Sequence, residues 1–136
     1  MRRDKKQIKP LRTLWTEEQY ELFRNSLTES KHRGFFDLLR AGLRQMEAAA
    51  LTPADITKEG VRINKCYDIA LGDLPVKSKS ANRTVVISDD LRLQLMSMNV
   101  PDDKRIFDGF DARRFFHSKA RQLDLPIVSL ASLRER

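Results

Sequence analysis

Apolar positions in the first part of the chain recur at helical spacing. Leu22, Phe23 and Leu27 follow "TEEQ", Thr16 to Gln19, which sets a hydroxyl and an amide three residues apart. This is a capping box, in which each side chain satisfies a backbone amide that a first helical turn leaves unpaired. Trp15 and Tyr20 stand at the staple positions around it. Phe35, Phe36, Leu39, Leu43, Met46 and Ala50 keep the helical period and predict a second helix from about Gly34 to Leu51. Thr52 precedes a proline, which ends that helix. From Ile56 the period shortens. Val61, Ile63, Tyr67 and Ile69 alternate with polar residues, Gly60 and Gly72-Asp73 supply turns, and "RTVVI", Arg83 to Ile87, is rich in β-formers. The middle third therefore predicts an antiparallel sheet of about three strands.

Ser88 predicts the cap of a further helix, with Asp89 and Asp90 at its positive end and Leu91, Leu95 and Met98 as its stripe. Pro101 closes that region. Asp111 predicts another helix start. Phe115, Phe116, Ala120 and Leu123 would face inward, and Arg113, Arg114, Lys119 and Arg121 would face water or phosphate. Ser129 is positioned to cap a last helix. The fold class is α+β, mainly helical with a small three-stranded antiparallel sheet, without alternating βαβ units. Residues 1–12 read as a basic leader and 13–136 as one domain.

Composition narrows the class. The chain has 136 residues, 40% hydrophobic and 33% charged, enough to build a core without staples. No apolar run approaches the length of a membrane span, so no membrane partner is expected. Cys66 is the single cysteine, which excludes an intramolecular disulfide and fits a reducing cytoplasm. No metal or cofactor is expected. A net charge of +7 points toward a polyanion, most often nucleic acid.

Three sites carry candidate chemistry. On a continuous helix, Asp37, Arg40, Arg44 and Glu47 share one face. Arg44 and Glu47 then form an exposed ion pair worth about 0.3–0.5 kcal/mol, or Arg44 is held for an anionic ligand. Lys77 and Lys79 precede a turn between strands, where a lysine either keeps a hairpin soluble or swings to a phosphate. Arg134 in "SLASLRER" says nothing alone. His32 and His117 read as surface or packing residues.

Taken in order, these segments resemble the catalytic domain of the tyrosine recombinases, the phage-integrase family. "AGLRQMEAAALTPADI" is similar to the first arginine box, a small residue and G-L-R-x-x-E followed by an apolar stretch and D-I. "KSKSANRTVVI" resembles the lysine-bearing hairpin, and "LDLPIVSLASLRER" has the framework of the final box. The resemblance spans roughly Leu14 to Arg136. It implies DNA integration and recombination through a 3′-phosphotyrosyl intermediate, without metal. Two arginines, Arg44 and Arg134, would grip the phosphate oxygens and stabilise the charge of the transition state. Lys79, or else Lys77, would protonate the leaving oxygen, and Glu47 would buttress Arg44. Arg83, Arg113 and Arg114 would add DNA contacts. The implied partner is double-stranded DNA, with self-association on it, in a bacterial or phage-infected cell.

The sequence departs from the family in its final box. Ala131 stands where the pattern has histidine, Ser132 where it has Asp, and Glu135 follows the arginine. Tyr20 and Tyr67 do not match the nucleophile, which in the family lies after a position equivalent to Arg136, and residues 1–12 are not expected to supply the family's N-terminal clamp domain. The expectation is a fragment or remnant that binds DNA but does not complete strand exchange alone. The alternatives are a non-catalytic DNA-binding or regulatory protein that keeps the fold, and a basic protein-interaction domain.

Overall fold

The computed structural model describes residues 14–75 and 82–135. Lys77, Lys79 and the 1–12 leader lie outside them. Among the described residues, five α-helices pack around two small antiparallel sheets. Helix α1 (Glu17–Asn25) starts at the expected box: Gln19 N–H donates to Thr16 Oγ1 at 3.1 Å and Thr16 N–H to Gln19 Oε1 at 2.9 Å. Phe23 and Leu27 are buried, but Leu22 is half exposed, since the core covers a narrower stripe than the apolar pattern offers.

The second predicted helix is two. Helix α2 (Ser30–Ala41) closes at Gly42, whose φ of 120° only glycine adopts at low cost. Leu43 N–H donates to Leu38 O and Gly42 N–H to Leu39 O, the paired bonds of a left-handed C-terminal cap. Helix α3 (Gln45–Ala50) then starts with Arg44 as its N-cap. The break separates residues that a continuous helix would align. Asp37 accepts two bonds from Arg24, at 2.8 Å each, and Arg40 stacks over the Tyr20 ring while donating to Glu17. Neither Asp37 nor Arg40 joins Arg44.

After a 3₁₀ turn at Pro53–Asp55, strands β1 (Ile56–Thr57), β2 (Gly60–Ile63) and β5 (Arg83–Val85) form the three-stranded sheet in the order β1-β2-β5. Strands β3 (Cys66–Asp68) and β4 (Gly72–Leu74) form a separate hairpin packed on α3. Tyr67 and Ile69 thus do not extend the main sheet. Gly72 opens β4, and the turn lies at Ile69–Leu71.

Helix α4 (Asp89–Met96) is capped by Ser88, whose Oγ accepts from Leu91 N–H at 3.1 Å. Helix α5 (Ala112–Gln122) starts at Asp111, whose carboxylate accepts from Arg114 N–H. The described chain ends in a 3₁₀ helix (Leu130–Glu135) packed on α2. The segment is 3₁₀ rather than α, and it is the Ser129 carbonyl that takes the bonds, from the amide and hydroxyl of Ser132.

An aromatic cluster ties the helices together. Phe23 meets Trp15, Phe36 and Phe116 at centroid distances of 5.3, 4.9 and 5.3 Å. Trp15 Nε1 donates to Pro126 O at 2.9 Å, which anchors the segment leading to Arg134. His32 packs between Phe110 and Phe115, and His117 lies against Phe116. Burial lowers the His32 imidazole from its ordinary value, so it is neutral at pH 7.

Candidate functional site

The α2–α3 break puts one carbonyl and one carboxylate at the centre of three arginines. Glu47 is 2% exposed, not the wet side of a helix. It sits at the third position of α3 and accepts the Arg44 backbone N–H at 2.8 Å, satisfying an amide of the first turn. Arg44 Nη1 reaches it at 3.3 Å. Arg83 binds it with both terminal nitrogens, Nη1 to Oε2 and Nη2 to Oε1, each at 3.0 Å. Such a forked pair fixes both partners in one plane.

The Gly42 carbonyl is the second hub. It lies just past the C-terminal end of α2, where the helix dipole favours cations. Arg134 Nε donates to it at 2.9 Å and Arg83 Nη2 at 3.3 Å. Strand β5, helix α3 and the C-terminal 3₁₀ helix are therefore locked to one corner of α2.

The charges do not cancel. Three guanidiniums face one carboxylate, a surplus of two positive charges. Burial alone would raise the Glu47 carboxyl. The Arg83 bonds, the Arg44 amide and both arginine charges outweigh it and hold the group below its ordinary value. Arg134 is pulled down from its ordinary value, first by burial and then by the Arg44 charge, with Arg83 adding to the effect and Glu47 opposing it. An anion placed between Arg44 and Arg134 would relieve that repulsion.

There is room for one. A pocket of about 230 Å³ is lined by Leu39, Arg44, Gln45, Leu130, Ala131 and Arg134. The Arg44 side chain is 57% exposed. Among the described residues, its Nε and Nη2 and both terminal nitrogens of Arg134 have no protein partner. The arrangement offers a forked donor from each wall above an apolar floor. That suits an oxyanion, since guanidinium geometry matches paired oxygens.

The expected site residues thus divide. Arg44, Glu47 and Arg134 come together. Arg83 joins them from beneath, as a strut on Glu47. Arg113 and Arg114 are exposed on α5, away from the pocket lining. Ala131 is exposed at the pocket wall, Ser132 is buried, and neither presents an imidazole. Tyr20 is buried with its hydroxyl donating to Asp37 at 3.3 Å, and burial raises its phenol far above the ordinary value. Tyr67 lies under the Arg105 guanidinium at 3.7 Å. Neither tyrosine lines the pocket.

The sequence reading missed the part Arg83 plays, although a signal was there. Arg83 and Val85 are two apart on a strand, so they share the face toward the core. It also missed Asp55, a second buried carboxylate. Asp55 accepts from Thr52 and from Lys65 Nζ at 2.6 Å, and fixes the turn leading into the sheet.

No protein-family model, no curated protein and no solved structure matches this chain. Among the described residues there is no cluster of His, Cys, Asp or Glu that could hold a metal ion, and no helix long and apolar enough to cross a membrane.

Proposed function

We propose that the chain binds the phosphates of double-stranded DNA, with the pocket between Arg44 and Arg134 as the principal grip. The observation that carries this reading is the surplus of guanidinium donors. They are held by a buried carboxylate and a helix-end carbonyl but are not neutralised by them. Pre-positioned donors lose little freedom when they meet a phosphate.

The reading is that of a domain related to the tyrosine-recombinase catalytic domain. Arg44 and Arg134 would be its two phosphate clamps, Glu47 the buttress, and Lys79 or Lys77 the proton donor of the family reaction. Among the described residues the site supplies the phosphate grip but neither the final-box histidine nor a tyrosine nucleophile. Ala131 cannot donate a hydrogen bond or carry a proton, and both tyrosines are engaged elsewhere. The residues present grip DNA phosphate in a binding or regulatory role in DNA recombination, and a phosphotyrosyl bond would need a tyrosine other than Tyr20 and Tyr67.

Binding of a labelled duplex to the wild type, Arg44→Ala and Arg134→Ala tests this. Each substitution should weaken binding about tenfold or more, as removal of a charge-assisted phosphate bond does. Equal binding by all three would refute it. A nicked duplex should give no covalent adduct with the wild type.

A further inference from the structure

We propose that, without DNA, two copies of this chain pair reciprocally, each inserting its β3–β4 hairpin tip into the other's arginine pocket. The tip reads Asp68-Ile69-Ala70-Leu71-Gly72-Asp73 and carries two carboxylates and no basic residue. Ile69 is 53% exposed and Leu71 is 75% exposed. The tip is nonetheless shaped, because the Asp68 carboxylate accepts the amides of Ala70 and Leu71 at 2.9 Å each. It is a rigid acidic turn that presents two aliphatic side chains to water.

The pocket is its complement. It has guanidiniums on its walls, Leu39 and Leu130 beneath them and Ala131 exposed at its wall, in about 230 Å³. A leucine side chain would fill the apolar floor while the flanking Asp73 met Arg44 or Arg134. The hairpin packs against α3, and none of its residues lines the arginine pocket of its own chain.

Placement makes the pairing reciprocal. Gln45 lines the arginine pocket on one side. On the other it lines a shallow cleft shared with Tyr67, Asp68 and Ile69 of the hairpin. Donor and acceptor therefore adjoin, with Gln45 between them. Two copies related by a twofold axis can make both insertions at once, closing the assembly as a dimer rather than an open chain. Pairing would also cover the exposed Ile69 and Leu71, which otherwise stand as an apolar patch. DNA and the partner's hairpin would compete for the same arginines.

Sedimentation equilibrium over a concentration series, at low and high salt, tests the inference. The wild type should dimerise, and salt should weaken the dimer because charge pairs contribute. Leu71→Asp spoils the tip and Ala131→Trp fills the pocket, each at an exposed position where folding is not at stake. Both should weaken dimerisation about tenfold or more. Val86→Asp, at an equally exposed apolar position outside the hairpin and the pocket lining, should leave it unchanged. A wild type that stays monomeric throughout would overturn the inference. So would a dimer indifferent to Leu71→Asp or Ala131→Trp, or one equally sensitive to Val86→Asp. Duplex binding is measured separately. A chain that dimerises but ignores DNA would refute the proposed function and leave the dimer standing.

Discussion

Removing the Glu47 carboxylate should destabilise the chain more than removing either arginine that reaches solvent. Glu47 is buried, and its loss would leave Arg83 without its forked partner at the join of β5, α3 and α2. Breaking such a pair from one side costs about 3 kcal/mol, the low end of the usual range because Arg83 keeps some access to water. Urea denaturation of Glu47→Ala against Arg44→Ala should show this order; equal midpoints would contradict it. The same group sets an acid limit. Its folded pKa is depressed, so the unfolded state binds more protons as pH falls. Its contribution is complete above the ordinary value of 4.5 and is lost as pH drops through the lower folded value. Glu47→Gln should flatten that part of the stability–pH curve, and an unchanged acid limb would argue against the pairing. From sequence, Glu47 is indistinguishable from any solvated partner of Arg44. Its burial is decided by Arg83, 36 residues later, and long-range pairing leaves no local trace.

At the scale of elements, two glycines decide the geometry. An added Cβ at Gly42 meets nothing within 4 Å, so Gly42→Ala carries only the strain of a positive φ, about 1–2 kcal/mol. At Gly60, where φ is 141°, the same Cβ would lie 2.3 Å from the Val85 carbonyl oxygen. Gly60→Ala should therefore cost more than Gly42→Ala, because it forces β2 from β5 and loosens the Arg83–Glu47 pair. Denaturation midpoints of the two variants give the comparison, and the reverse order would contradict the close strand approach. The elements with local signatures were readable in advance: the Thr16 box, the Ser88 cap, the Asp111 start and the α+β class. The break at Gly42 was not. Leu39, Leu43, Met46 and Ala50 stay in helical phase across it, so the apolar period hid the stop signal of a glycine cap. The sheet was divided wrongly for a similar reason. Alternation marks strands but not which strands pair, and β3 and β4 pair with each other while β2 reaches across to β5.

For the whole molecule, the net charge of +7 sets the reach of any DNA binding. Affinity should fall steeply with salt as counterions are released. The exposed pair Arg113 and Arg114 on α5 offers phosphate donors outside the pocket. Their replacement by alanine should weaken binding to all duplex sequences alike. The salt dependence should become shallower by about one unit for each phosphate that the variant no longer neutralises. Arg83→Ala should act differently, lowering stability along with affinity, since its guanidinium faces Glu47. A salt series with these variants separates the two effects. Salt-independent binding would remove phosphate recognition from the account altogether.

The most direct test of the central claim is the guanidinium ¹⁵N–¹H NMR spectrum of the chain, recorded while a short duplex is added. Phosphate held between Arg44 and Arg134 should shift and sharpen their terminal Nη–H signals in proportion to occupancy. The Arg83 signal, already fixed on Glu47 and Gly42, should move far less. Shifts confined to Arg113 and Arg114, with Arg44 and Arg134 unmoved at saturation, would contradict the account.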